Sequence, residues 1–199
     1  KLKQKLNLLF QKEKSNLMKG LLKKRETGIV IKLDTSENQA KLIYLGIGSN
    51  LGNKKVNIEK AKFELIQNSI KILKSSNYYE SLSWPNPNNP KFLNIILLIR
   101  TSLKPMDLLK ICKKIETFLG RKKATKNSPR ECDIDIIDYN SKIIIDKIIL
   151  PHQRMHTRNF VLLPLFEINK DWCHPVSKHH IKKLILLLRN RDITSIKQI

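Results

Sequence analysis

An α+β sandwich, with helices packed on a mainly antiparallel sheet, is the fold class that these 199 residues predict. Three observations lead to it. The length suits one domain with a full core and a short appendage. Apolar residues switch repeatedly between the two-residue period of strands and the helical period. The resulting elements run βαβ, repeated, with extra strands between the repeats.

Taken in order, residues 1–41 hold eleven Lys/Arg against four Asp/Glu, a net of +7, with Leu2, Leu6, Leu9, Phe10 and Leu17 at loosely helical spacing. They are expected to form a basic N-terminal extension, flexible or helical, ahead of one domain over 42–199. The first strand is the apolar run 42–47. Gly46 to Asn53 then lead into a helix over 56–68, with Ile58, Ala61, Leu65 and Ile66 on one face and Asn53 as its cap. A strand is expected at 78–82, no regular structure through the Pro-Asn stretch 84–90, and a long aliphatic strand at 92–100. Pro105 opens a helix that buries Leu108, Leu109, Cys112, Ile115 and Leu119 and stops at Gly120. A strand at 133–139 turns at Asn140-Ser141 into another at 143–145, and helices near 156–166 and 178–189 close the chain.

Composition narrows the function. No run of eighteen apolar residues exists, so no membrane span or membrane partner is expected. Cys112, Cys132 and Cys173 are widely spaced and contain no CxxC, which points away from a disulfide framework and towards a reducing cytoplasm. Cys173-His174 and His179-His180 match no zinc-finger spacing. A net charge of +22 invites a nucleic-acid reading. Lys, Ile and Asn are over-used throughout, however, and the lysines are scattered instead of forming a stripe with aromatics, so no specific nucleic-acid partner is expected. The expectation is a cytoplasmic monomer.

The most informative residues are Asp133 and Asp135. Side chains two apart on a strand share a face, so both carboxylates emerge together while Ile134 and Ile136 enter the core. Mg²⁺ relieves the repulsion of such a pair and takes its remaining ligands from phosphate. The duller alternative is an exposed acidic strand face. Arg121, Lys123, Arg130 and Arg158 surround the pair in sequence, and Gly120 and Pro129 bound a loop able to close on phosphates. His152, after Pro151, is either a turn residue or a donor of a proton or hydrogen bond to a phosphate oxygen. Asn94 is an amide in an apolar strand, suited to the donor and acceptor edge of a flat heterocycle; Phe92 and Phe160 either sandwich that ring or are plain core residues. Glu116 is placed either to brace an arginine or a ligand amine, or to make a plain surface i,i+4 charge pair. Gly46-Ile47-Gly48 allows close backbone approach without being a P-loop.

Together these segments resemble the 6-hydroxymethyl-7,8-dihydropterin pyrophosphokinase family over roughly 42–176. Gly48-Ser49-Asn50-Leu51-Gly52, Phe92-Leu93-Asn94, Glu116 with Gly120-Arg121, Pro129-Arg130 with Asp133-Ile134-Asp135, and the block 151–165 occur in that family's order. The resemblance implies a ferredoxin-like α+β sandwich and transfer of diphosphate from Mg-ATP to a reduced pterin, releasing AMP, in tetrahydrofolate biosynthesis. It implies that Asp133 and Asp135 hold two Mg²⁺ ions and that Arg121, Lys123, Arg130, His152 and Arg158 face the phosphates. Ile136 and Lys147 then fall near the nucleoside, and Gly48, Ser81, Leu82, Phe92, Asn94 and Phe160 near the pterin. Three positions depart from the family pattern: Asn127-Ser128 replaces Trp-Gly, Asn88-Asn89-Pro90 replaces Asp-Gln-Pro, and Ser81-Leu82-Ser83 replaces Thr-Pro-Pro. One aromatic lid contact is therefore expected to be missing. The rival function is an RNA-binding module on the same fold, although the aromatic RNA-binding motif is absent.

Overall fold

The structure, a computed structural model, describes residues 41–121 and 127–199. The expected extension over 1–41 lies, apart from its last residue, outside the described residues, as does Lys123. In chain order the elements are β1 (Lys41–Ser49), α1 (Lys54–Gln67), β2 (Lys71–Ser75), β3 (Tyr79–Ser81), β4 (Phe92–Thr101), α2 (Pro105–Phe118), β5 (Asp133–Tyr139), β6 (Ile144–Ile145) and β7 (Ile149–Leu150). A 3-10 turn at Met155–Thr157, α3 (Asn159–Ile168), α4 (Ile181–Leu187), α5 (Asn190–Thr194) and β8 (Lys197–Gln198) complete it.

All strand pairs are antiparallel. The main sheet runs β5-β1-β4-β3-β8, and β2 pairs the opposite end of β4 from β3. The order β1-α1-β2/β3-β4-α2-β5 is the ferredoxin-like βαββαβ arrangement that the resemblance implies. Strand alternation divides the core in two. Ile43, Leu45 and Ile47 of β1, with Leu93, Ile95, Leu97 and Ile99 of β4, pack against α1 and α2. Tyr44, Ile96 and Ile137 face the other way, under Val161, Leu162 and Leu165 of α3 and Ile181 and Leu184 of α4. Each fully buried aliphatic side chain contributes about 1.5–3 kcal/mol, so both layers are needed to hold the sheet.

The second layer covers only part of its face. It seals Tyr44, Ile96 and Ile137, and leaves open the next row of the sheet, where Asp133, Gly48 and Asn94 lie side by side. Two polar ties fix that layer. Asp138, buried at the end of β5, accepts hydrogen bonds from Trp172 Nε1 at 2.8 Å and Ser141 N at 2.9 Å. Glu167 of α3 accepts from Tyr79 Oη at 2.9 Å and from Asn77 N at 3.0 Å.

Several expectations are corrected. β2 was not foreseen: its sequence, KILKS, has no buried residue to announce it. Ile66 is exposed, because it lies about 100° around the helix from Leu65, off the stripe of Ile58, Ala61 and Leu65. The turn at Asn140-Ser141 forms, with both residues at positive φ, but the strand beyond it does not return along β5. β6 pairs β7 instead, because the Ile137 carbonyl on the outer edge of β5 is taken by His152 N at 2.9 Å. The helix expected near 178–189 is shortened to α4, and α5 and the edge strand β8 follow it unforeseen. Among the described residues no helix is long and apolar enough to cross a membrane.

Candidate active site

A cavity of about 510 Å³ opens on the uncovered sheet face. Its floor follows from two glycines. Gly48 is in register with Asp133 on one side and Asn94 on the other, and Gly46 with Asp135 and Ile96. A Cβ on Gly48 would meet Asn94 Oδ1 at 3.1 Å and Phe92 Cδ1 at 3.3 Å; on Gly46 it would meet Ile137 Cδ1 at 3.2 Å. The floor therefore has no side chains between the carboxylates of β5 and the amide of β4, a span of two strand spacings, about 10 Å.

On the acidic side, Asp133 and Asp135 both line the cavity while Ile134 and Ile136 are buried behind them, as the period of two requires. Each carboxylate faces at least one arginine. Arg121 Nη1 lies 2.7 Å from Asp133 Oδ1, and Arg130 Nη1 lies 3.4 Å from Asp133 Oδ2. Arg158 Nη1 and His152 Nε2 approach Asp135 Oδ2 at 3.7 and 3.8 Å. Glu116, 1 % exposed, holds this side together: it accepts from Ile134 N and Lys113 Nζ, both at 2.7 Å, and pairs with Arg121. Burial opposes the charge of Arg121, yet Asp133 and Glu116 outweigh it and raise its pKa.

His152 Nδ1 accepts Arg154 N at 3.2 Å, so the ring proton sits on Nε2, towards Asp135. Burial lowers its pKa against the opposing pull of Asp135, and the neutral ring is a hydrogen-bond donor instead of a proton donor at neutral pH. Arg130 is held at its main chain by Asn50, whose Oδ1 accepts Arg130 N at 2.7 Å. Its Nε is buried without a partner, a donor that an incoming oxygen would satisfy.

The opposite wall carries an amide and a hydroxyl among apolar side chains: Ser81, Leu82, Phe92, Asn94 and Phe160 line it. Asn94 Nδ2 donates to Ser81 Oγ at 3.0 Å and to Tyr79 O at 3.3 Å, so the protein already engages its donor end. Only Oδ1, on the Gly48 side, is left to meet a ligand, which narrows the expected two-ended recognition.

Of the expected site residues, Arg121, Arg130, Asp133, Asp135, His152, Arg158 and the six pterin-side positions converge on this cavity. Ile136 and Lys147 do not. The Ile136 side chain is 4 % exposed in the core and can offer a ligand only its main chain; Lys147 stands exposed on the turn between β6 and β7. Sequence reasoning gave no role to Trp84, Lys113 and Arg154, which line the cavity, or to Asn50, which clamps two of its loops through Arg130 N, Pro90 O and Ser83 Oγ. For Asn50 a signal existed: a polar residue buried straight after an apolar strand must find partners.

The carboxylate pair suits Mg²⁺, a hard ion that takes one or two carboxylates. Among the described residues no three His, Cys, Asp or Glu side chains form a cage, so phosphate or water oxygens would complete the shell.

Comparison with known proteins agrees with this geometry. The family described as 7,8-dihydro-6-hydroxymethylpterin-pyrophosphokinase (HPPK) matches residues 44–170. The 2-amino-4-hydroxy-6-hydroxymethyldihydropteridine pyrophosphokinase of Aquifex aeolicus is 40 % identical over 142 residues, 71 % of this chain and 88 % of that protein. Folic acid synthesis protein fol1 of Pneumocystis carinii is 39 % identical over 158 residues, 79 % of this chain, which spans 21 % of that longer protein. A Plasmodium falciparum HPPK-DHPS structure superposes with a TM-score of 0.64 at 17 % identity, over 83 % of this chain and 50 % of that one, and supports the fold. Nothing in these likenesses favours the RNA-binding alternative. The chain belongs to the 7,8-dihydro-6-hydroxymethylpterin-pyrophosphokinase family.

Proposed function

We propose that the domain over 42–199 transfers diphosphate from Mg-ATP to the hydroxymethyl group of 6-hydroxymethyl-7,8-dihydropterin, a step of folate biosynthesis. The observation that carries the reading is one cavity lined by an acid pair with its arginines and also by the Asn94 amide, Phe92 and Phe160.

Asp133 and Asp135 would hold two Mg²⁺ ions, which supply neutralisation of phosphate charge. Arg121, Arg130, Arg158 and His152 are paired with these carboxylates. They turn to the phosphate oxygens when the triphosphate arrives, Arg130 with its free Nε and His152 through Nε2–H. For the nucleoside, the contacts narrow to the Ile136 main chain and Lys147. The pterin lies flat between Phe92 and Phe160, with Asn94 Oδ1 accepting from its donor edge. Its hydroxyl attacks the β-phosphorus and gives up its proton to solvent; the new O–P bond forms as the bond from the β-phosphorus to the α,β-bridging oxygen breaks, and AMP leaves with that oxygen. Since phosphoryl transfer asks mainly for positioning and charge neutralisation, this set is sufficient. The enzyme is read as a cytoplasmic monomer without a specific nucleic-acid or membrane partner.

Asp133→Asn and Asp135→Asn test the assignment. Each is expected to lower kcat by about 100-fold or more at saturating Mg-ATP with the fold retained. Activity within tenfold of the parent in both variants would remove the aspartates from the metal site.

A further inference from the structure

Trp84 lies in the loop between β3 and β4, in a position unusual for so large an apolar ring: it is 59 % exposed and lines the mouth of the site cavity. A second recess of about 670 Å³ shares Leu82, Trp84, Arg154, Arg158 and Phe160 with the first, so the indole borders both. The ring is nonetheless held. The Arg154 guanidinium stands over it at 5.3 Å, and Arg154 is fixed at its own main chain by the hydrogen bond to His152 Nδ1.

The arrangement repeats around the cavity. Arg130 stands over Phe92 at 5.8 Å and Arg158 over Phe160 at 5.4 Å, so three aromatic side chains of the lining each carry an arginine. Two of these pairs form the walls of the proposed pterin slot. The third differs only in being at the mouth. An arginine over each ring orients it through the cation–π attraction while leaving apolar ring surface for a flat ligand.

Resting on the pterin reading above, we infer that Trp84 is a third aromatic contact for the pterin, closing the mouth of the slot and thereby setting its affinity for a flat heterocycle. The site then keeps an aromatic at its rim although Asn127-Ser128 supply none. A pterin in the slot would cover the exposed face of the indole.

The chain has a second tryptophan, Trp172, which is buried and hydrogen-bonded to Asp138, so iodide quenching of intrinsic fluorescence reports on Trp84. With Mg²⁺ and a non-hydrolysable ATP analogue present, 6-hydroxymethyl-7,8-dihydropterin is expected to abolish most of that quenching. Calorimetry under the same conditions should show pterin binding weakened about tenfold in Trp84→Ala, within about twofold of the parent in Trp84→Phe, and nucleotide affinity unchanged in both. If the parent binds pterin but Trp84→Ala binds it equally well, or iodide still reaches the indole in the complex, the contact does not exist. If the parent binds no pterin, the functional reading fails and this inference with it.

Discussion

Gly48 shows how much of the site depends on an atom that is absent. Its register between Asp133 and Asn94 puts it under the middle of the cavity, where a methyl group would sit 3.1 Å from Asn94 Oδ1 and 3.3 Å from Phe92 Cδ1. Gly48→Ala is therefore expected to raise the pterin KM roughly tenfold through misplacement of the amide, with little change in the Mg-ATP KM. Steady-state kinetics with each substrate varied in turn would check this; equal rises in both would mean that the sheet itself had distorted. At this scale the sequence was informative where chemistry repeats at short spacing. Asp133 and Asp135 could be read because strands alternate, and Asn94 because an amide stood in an apolar run. Arg154 and Lys113 could not, since in a chain of 39 Lys/Arg no single cation stands out until the fold brings it to the acids.

Among the elements, the C-terminal segment ties both walls of the pterin slot together. β8 pairs with β3, which leads to Ser81, and α5 is held by Asn159, whose Nδ2 donates to the Asp192 carbonyl and to Ser195 Oγ at 3.3 Å. Asn159 Oδ1 also accepts Phe160 N at 2.7 Å, so the residue between Arg158 and Phe160 is anchored to the chain end. Asn159→Ala should speed amide hydrogen exchange in both 155–165 and 189–199, by about tenfold, and leave the β1–β4 core unchanged. Exchange altered in only one segment would separate the two. The strongly apolar strands β1, β4 and β5 and the helix α2 were legible, because hydrophobic period and Pro105 mark them locally. β2 and β8 were not, and of β6 only the strand was legible, not its pairing with β7. β2 and β8 have no buried residue and are defined by partners distant in sequence, of which local pattern carries no record.

For the molecule as a whole, two faces of one sheet have separate tasks. The face under α1 and α2 is continuous core. The other is half covered by α3 to α5, and the uncovered half carries the site. The fold class was legible from element order, whereas the second helical layer that leaves room for a cavity was legible only as helices near the end of the chain. The net charge of +22, which first suggested a polyanion, is better suited to gathering a triphosphate. Because the acids lie at one end of the cavity and the aromatic slot at the other, the bond broken in ATP decides whether the two walls act on one reaction. With purified protein, Mg-ATP and 6-hydroxymethyl-7,8-dihydropterin, the nucleotide product separated by chromatography should be AMP, formed in equal amount with the pterin diphosphate. Accumulation of ADP, or AMP formed at the same rate without the pterin, would contradict diphosphate transfer at this site.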